Sequence, residues 1–349
     1  MKKQSKLIKV ILAFVMIIGA FSFNSSFAAA QDVEINETNF PDAKFREYVK
    51  EFDKNRDEKL SEEEIKSVTS IFAEYGEKNL KGLEYFIEIK SLFLGYSVNY
   101  VDTSKNTKLE KIYFSGNDSL RKLDLSHNNK LNVLRLENTN IEKLNLSNNT
   151  NLEYGELWNN KLKEINLKNC KNLAKLNVDS NKLKSIDLKD CVNLDKFSCS
   201  DNELEKLDIS NNKKLNYLNL RNNRLQSLDT TKNRELDRLV ADMQSFNYYT
   251  DINHRFIDLG KLPGKPNPKR IKNIKNGKLV GNKIVLDKDK EFITYDYESR
   301  PGEIQRHNGD VVEVKINVKT GFTEEEDQPS EKPQPTEENR ISGRNRIST

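Results

Sequence analysis

Catalytic equipment is scarce in this chain: 349 residues contain only three histidines, three cysteines and one tryptophan. His127, His254 and His307 lie far apart in the sequence, and none sits in a nucleophile or general-base motif. No zinc-ligand spacing, phosphate-cradling glycine loop or Gly-x-Ser-x-Gly elbow occurs. Those absences remove the usual signatures of metal-dependent, nucleotide-dependent and serine-dependent chemistry, and the chain reads as a non-enzyme. Three cysteines are too few for a disulfide scaffold. A bridge between Cys170 and Cys191 and a pair of buried free thiols both stay open, while Cys199 reads as packing alone.

A charge excess of one sign is also missing. The formal net charge of +4 comes from Lys2, Lys3, Lys6 and Lys9, which precede the apolar run Val10 to Phe23; no acidic residue appears before Asp32. With Ala28, Ala29 and Ala30 behind it, the stretch 1–30 reads as a secretory signal peptide, too short for a membrane span. Without those four lysines the charge is near zero. That excludes the global basic signature of a nucleic-acid binder, and no membrane span is expected after signal cleavage.

What the chain has in abundance is a repeat. Leu131, Leu152, Leu173, Leu194, Leu215 and Leu236 recur 21 positions apart, and Leu120, Ile141, Leu162, Leu183, Leu204 and Leu225 keep the same beat. One unit reads Leu215, Leu218, Leu220, Asn223, Leu225, that is L-x-x-L-x-L-x-x-N-x-L. Each L-x-L puts two apolar side chains on one face of an extended segment and the intervening residue on the other. So short a unit cannot bury its own face; only stacking on neighbours makes a core. Asn160, Asn181, Asn202 and Asn223 recur in the first half of the unit. Asn128, Asn149, Cys170, Cys191, Asn212 and Asn233 recur in the second, placed to bond the main chain of buried turns.

These residues resemble the leucine-rich repeat family, in particular its bacterial, internalin-like class with 21-residue units. The resemblance covers roughly Leu80 to Val240. It implies an α/β solenoid dominated by β, with short parallel strands, a helical N-terminal cap and a small β C-terminal cap domain, used for binding proteins or glycans. The expected boundaries are 31–78 for the N-terminal cap, 79–244 for the solenoid and 245–322 for the β cap. An acidic, proline-containing spacer over 323–339 follows, and then 340–349, which is similar to the opening of a clostridial cell-wall-binding repeat.

In the N-terminal cap, Asp53, Asn55, Asp57, Lys59 (through its carbonyl), Ser61 and Glu64 fall at the spacing of an EF-hand calcium loop. Glu58 stands where that loop needs glycine, a left-handed position costing about 1–2 kcal/mol for other residues. Ser61 and Glu64 also form an S-x-x-E capping box that needs no metal. Calcium and a metal-free relic are both open.

The two outward stripes of the repeat differ. Asp124, Asn145, Asn166, Asp187, Asp208 and Asp229 are nearly uniform, as a structural wall would be. The other stripe varies and carries Tyr113, Arg135, Tyr154, Glu156, Trp158, Asp179, Tyr217, Arg221 and Arg238, the residue types of a recognition surface. The candidate ligand is a protein or glycan, such as one from a host. In the β cap, Lys265, Lys269, Arg270, Lys272, Lys275 and Lys278 suit an anionic cell-wall polymer. The expected whole is a monomer, secreted to the surface or wall of a Gram-positive bacterium, that binds a macromolecule in adhesion or host interaction. The competing expectation is a structural envelope component without a specific ligand.

Overall fold

The computed structural model describes residues 32–116, 119–250, 255–300 and 311–320. The expected signal peptide, the spacer, the terminal ten residues, His254, His307 and an Asn308-Gly309 turn signal lie outside them. The chain divides into two compact units, Met1–Val178 and Asp179–Thr349.

The first unit opens with the N-terminal cap. Strand β1 (Val33–Glu34) pairs antiparallel with β2 (Lys59–Leu60). Between them runs helix α1 (Ala43–Val49), whose N-cap Asp42 accepts the Lys44 and Phe45 N–H groups at 3.0 Å each. Helix α2 (Glu62–Ser67) starts on the Ser61–Glu64 capping box. Phe40, Phe45, Val49 and Leu60 are fully buried, and the Phe40 and Phe52 rings reach Phe86 at 6.4 and 5.5 Å. Gly82, at φ +104°, is required there, because a Cβ would run into the Phe40 ring and the Asn39 carbonyl.

Six parallel strands follow in this unit: β3 (Ser70–Ala73), β4 (Ser91–Leu94), β5 (Lys111–Ser115), β6 (Val133–Glu137), β8 (Tyr154–Glu156) and β10 (Lys175–Asn177). The first rung, β3, lies upstream of the boundary expected at 79. Its pattern, Ile71 and Ala73 inward and Phe72 outward, was hidden by the irregular spacing of the early repeats. Second-half segments β7 (Lys143–Asn145) and β9 (Glu164–Asn166) pair in parallel with each other.

In the second unit, β11 (Lys196–Ser198), β12 (Tyr217–Asn219) and β13 (Arg238–Val240) continue the pattern. Strands β14 (Gln244–Thr250), β20 (Val311–Thr320), β19 (Phe292–Glu298) and β16 (Ile271–Lys275) form a four-stranded sheet in that order. Strands β15 (Phe256–Asp258), β18 (Lys283–Leu286) and β17 (Gly277–Val280) form a second sheet. Asn276-Gly277, a dipeptide type that favours two-residue hairpin turns, does not turn one here and marks where the chain passes from one sheet to the other. β16 pairs with β19, β17 with β18, and Asn276 takes φ +62° to make the switch. The tight hairpin is at Gly281-Asn282, joining Val280 to Lys283. Tyr295 is buried and its hydroxyl donates to the Gln226 carbonyl at 3.0 Å, tying this cap to the last repeats.

The leucine-rich repeat solenoid is held by two side-chain amide columns that work differently. In the first half of the unit the amide both accepts and donates. Asn223 Oδ1 accepts the Leu204 N–H at 2.9 Å while its Nδ2 donates to the Cys199 and Leu220 carbonyls. Asn160 and Gln244 do the same on their own rungs. In the second half the amide chiefly donates: Asn212 Nδ2 bonds the Leu188 and Cys191 carbonyls at 3.0 and 2.8 Å. The buried Oδ1 atoms of Asn106, Asn149, Asn212 and Asn233 have no partner among the described residues. Only the donor matters there, so a thiol serves: Cys170 Sγ donates to the Leu146 carbonyl at 3.4 Å. All three cysteines are buried and stand outside any disulfide.

The uniform outward stripe has an equally local cause. Asp124, Asn145, Asn166, Asp187, Asp208 and Asp229 each accept, through Oδ1, the N–H two residues on, at 2.9–3.1 Å. Each is an Asx turn that bends the second half of its unit. The Ser126 N–H and hydroxyl hold the Asp124 carboxyl below the usual carboxylate range, and those of Ser210 do the same at Asp208.

Candidate binding face

Parallel pairing in register lines up one outward residue per rung. Phe72 faces Phe93, Phe93 faces Tyr113, Tyr113 faces Arg135, and Arg135 faces Glu156. Neighbouring strands are about 4.8 Å apart, which is also the comfortable separation of stacked rings. Phe72–Phe93 centroids are 4.5 Å apart with planes 5° from parallel, and Phe93–Tyr113 centroids 4.8 Å apart at 4°. The Arg135 guanidinium then closes the stack, 5.6 Å from the Tyr113 centroid. Each ring pair contributes about 0.5–1.5 kcal/mol beyond area burial, so the column is ordered before any ligand arrives. Its first ring is open to solvent, Phe72 being 43% exposed, while Phe93 and Tyr113 are half-buried; Tyr75 and Tyr96, in the turns after β3 and β4, are 79% and 66% exposed.

Tyr113 and Arg135 were expected on this face; Phe72 and Phe93 were not. The signal was the central x of Ile71-Phe72-Ala73 and Leu92-Phe93-Leu94, in repeats whose uneven length kept them out of the 21-residue alignment. Tyr154 is 39% exposed and carries the Lys175 ammonium 5.3 Å from its ring. Glu156 and Trp158 are half-buried on the same unit. The Trp158 carbonyl accepts the Asn138 N–H at 3.3 Å, so its main chain is part of the turn.

In the second unit the expected residues are engaged with their own neighbours. Asp179 accepts the Ser198 hydroxyl at 2.7 and 2.9 Å and the Ser200 N–H at 2.6 Å. Tyr217 lies under the Arg238 guanidinium at 5.6 Å. Arg221 lies 3.7 Å from Asp242 and bonds Met243 Sδ at 3.1 and 3.3 Å. Among the basic residues of the β cap, Arg270 is drawn to Asp229 at 3.4 Å and Lys272 to Glu298 at 3.9 Å.

The EF-hand-like loop is brought together but turned on itself. Asp53 Oδ1 accepts the Arg56 and Asp57 N–H groups, and Oδ2 that of Glu58. Asn55 Nδ2 donates to Asp57 Oδ2 at 3.0 Å, and Asp57 Oδ1 accepts the Lys59 N–H. Glu64 is buried: Oε2 accepts the Ser61 N–H and hydroxyl at 2.9 and 2.7 Å, and Oε1 the Lys54 N–H at 2.8 Å. The Ser61 N–H holds its carboxyl below the usual range. Glu58 does adopt left-handed geometry, φ +65°. So arranged, the loop's side-chain oxygens are bonded to main-chain N–H groups, and no group of three or more His, Cys, Asp or Glu among the described residues is gathered to hold a metal. No helix among those residues is long and apolar enough to cross a membrane.

No family model and no curated protein matches the chain. Solved structures do resemble it. InlP of Listeria monocytogenes is 15% identical over 83% of this chain and 99% of its own, with a TM-score of 0.46. Internalin C2 of the same organism is 19% identical over 67% and 95%, with a TM-score of 0.43. A leucine-rich repeat protein of Leptospira interrogans is 18% identical over 54% and 57%, with a TM-score of 0.38. At those scores the likeness carries no argument about function, which rests on the geometry above.

Proposed function

We propose that this chain is a non-enzymatic, exported surface protein that captures a macromolecular partner on the outward face of its parallel strands, and that the partner is a protein. The observation that carries this reading is the stacked column Phe72–Phe93–Tyr113–Arg135, exposed at Phe72 and Arg135 and half-buried at the two rings between. A row of three stacked aromatic rings left partly open to water is an unusual surface for a monomer, whereas rigid aromatics beside an arginine are what binding hot spots are made of. The rings also favour a protein over a glycan. A sugar packs on the face of an aromatic ring, and both faces of Phe93 are already covered. What the stack offers is a row of ring edges, suited to apolar side chains. Export rests on the basic and apolar sequence of residues 1–30.

The test is capture by the purified protein from extracellular protein extracts, alongside a glycan array, with wild type compared with Phe72→Ala/Phe93→Ala. A protein retained by wild type and lost by the double variant is expected. Retention of that protein by both would move the site elsewhere, array binding would return the glycan reading, and no capture by either would favour a structural envelope role.

The N-terminal loop is, in our reading, a self-sufficient cap rather than a calcium site, because its oxygens already accept main-chain N–H groups. Thermal unfolding should be the same in millimolar calcium and in chelator. A calcium-dependent rise of several degrees would restore the metal.

A further inference from the structure

A second surface, unrelated to the aromatic column, lies in the second unit at β14. This strand is the edge of its sheet, and β20 is its one strand partner among the described residues. In a β-strand the N–H and C=O of alternate residues point to opposite sides. The Ser245 N–H goes to the Asn223 carbonyl at 2.9 Å, away from β20. The same parity points the N–H and C=O of Asn247 and Tyr249 outward, and neither N–H has an acceptor among the described residues on that side. Beside this edge is a cleft of about 900 Å³ lined by Ser245 to Tyr249, by Glu205, Arg224 and Gln226 from the repeats, and by Lys261, Leu262 and Pro263.

We infer that this cleft takes an extended peptide, which adds to β14 as a further strand. Open edge groups over about 13 Å supply the main-chain bonds, and Tyr249, 38% exposed, supplies an aromatic contact. This is the mode in which backbone pairing gives affinity and alternate side chains give specificity. The cleft also limits what can enter. Because the repeats and Lys261–Pro263 line it as well, a single strand fits where the edge of another folded sheet is obstructed. Its free charges are of both signs. Arg224 is paired with Glu203 at 3.0 Å, while Lys261 and Glu205 have no ion-pair partner among the described residues, so the peptide should carry an acid and a base.

Asn247→Pro separates the edge from the fold. It removes one outward N–H and leaves the main-chain bonds to β20, which use residues of the other parity, at the loss of one long side-chain bond from Asn317 Nδ2 at 3.4 Å. A phage-displayed library of random linear peptides is selected on the whole protein, and an enriched peptide is synthesised and titrated against wild type and variant. The expected result is hydrogen-exchange protection of the Asn247 and Tyr249 amides on binding, with at least a tenfold weaker dissociation constant for Asn247→Pro at unchanged melting temperature. Lys261→Glu should weaken peptides bearing an acidic residue. No enriched peptide, or one binding Asn247→Pro as well as wild type, overturns the inference. Wild-type dimerisation that Asn247→Pro abolishes would overturn it too, assigning the edge to a second copy of the chain. Either result leaves the aromatic column untouched, so failure here and failure of the protein-capture reading are distinguishable.

Discussion

The two halves of each repeat share one period and one apolar core, yet they spend their polar residues differently. In the first half the outward positions vary, from Phe72 and Phe93 to Arg135 and Glu156, while the inward amide is bonded in both directions, as at Asn223. In the second half the outward positions are all Asp or Asn, each closing its own Asx turn, while the inward position asks only for a donor. Freedom outside and strictness inside mark one half; the other reverses both. A surface can diversify for recognition where its backbone is fixed from within, and it cannot where the outward side chain itself makes the turn.

That contrast predicts separable losses. Phe72→Ala/Phe93→Ala should weaken partner binding by at least about a hundredfold and lower stability only by the two ring pairs removed, about 0.5–1.5 kcal/mol each. Asp208→Ala should lower the urea midpoint by the equivalent of about 1 kcal/mol, the usual scale of a net side-chain hydrogen bond, with binding intact. Tyr154→Ala/Trp158→Ala belongs with the first pair if recognition extends along the sheet. If the aromatic variant keeps the partner and Asp208→Ala loses it, the division of labour is wrong.

The inward columns sharpen the same point. Asn223→Cys removes the acceptor for the buried Leu204 N–H and should cost about 1–3 kcal/mol. Asn212→Cys removes an oxygen that had no partner and should cost clearly less. Cys170→Asn should be close to neutral. Equal losses at Asn223 and Asn212, read from urea midpoints at constant slope, would mean the orphan oxygen is not the reason cysteine replaces the amide only in the second half.

How far this was legible in sequence follows the same line. The rungs, the inward leucines and the uniformity of the Asp/Asn stripe were all readable, because each repeats at one spacing and a period is a statement about neighbours. The reason for the uniformity was not: an Asx turn needs the side chain of Asp208 and the N–H of Ser210 in the same frame. Phe72 and Phe93 were missed because alignment by period discards the units that break it, and those are the units where the exposed aromatics sit. In the second unit, Asp179 and Arg221 read as ligand-binding residues from their types, which say nothing of what they touch. Their hydrogen-bond partners, Ser198 and Met243, only meet them after folding.

Acid offers a weaker probe of the second half. Asp124 and Asp208 have pKa values lowered by the N–H and hydroxyl groups they accept from. Their contribution is therefore present above the unfolded-state value near pH 4 and is lost as the pH falls through the lower, folded one. Asn145 and Asn166 make the same turn without titrating. Asp124→Asn/Asp208→Asn should match wild type at neutral pH and lose less stability below pH 4, checked by urea midpoints across that range. Parallel pH profiles would show that these carboxylates add nothing an amide does not.

The smallest effect concerns the residue before each inward polar side chain of the first half, an amide in every unit but the one with Thr139. Asn138, Asn159, Ser180, Asp201, Asn222 and Met243 all sit at φ between +53° and +60°. Asn and Asp tolerate that region because a short polar side chain bonds locally; methionine has no such compensation. Met243 is 53% exposed, so its apolar surface is not repaid by burial, and its one visible engagement is the sulfur contact with Arg221. Met243→Asn should therefore raise stability by about 0.5–1 kcal/mol, seen as a small rise in melting temperature. A fall instead would mean that holding Arg221 in place is worth more than relieving the backbone, and that the last rung gives up local stability to keep that guanidinium fixed.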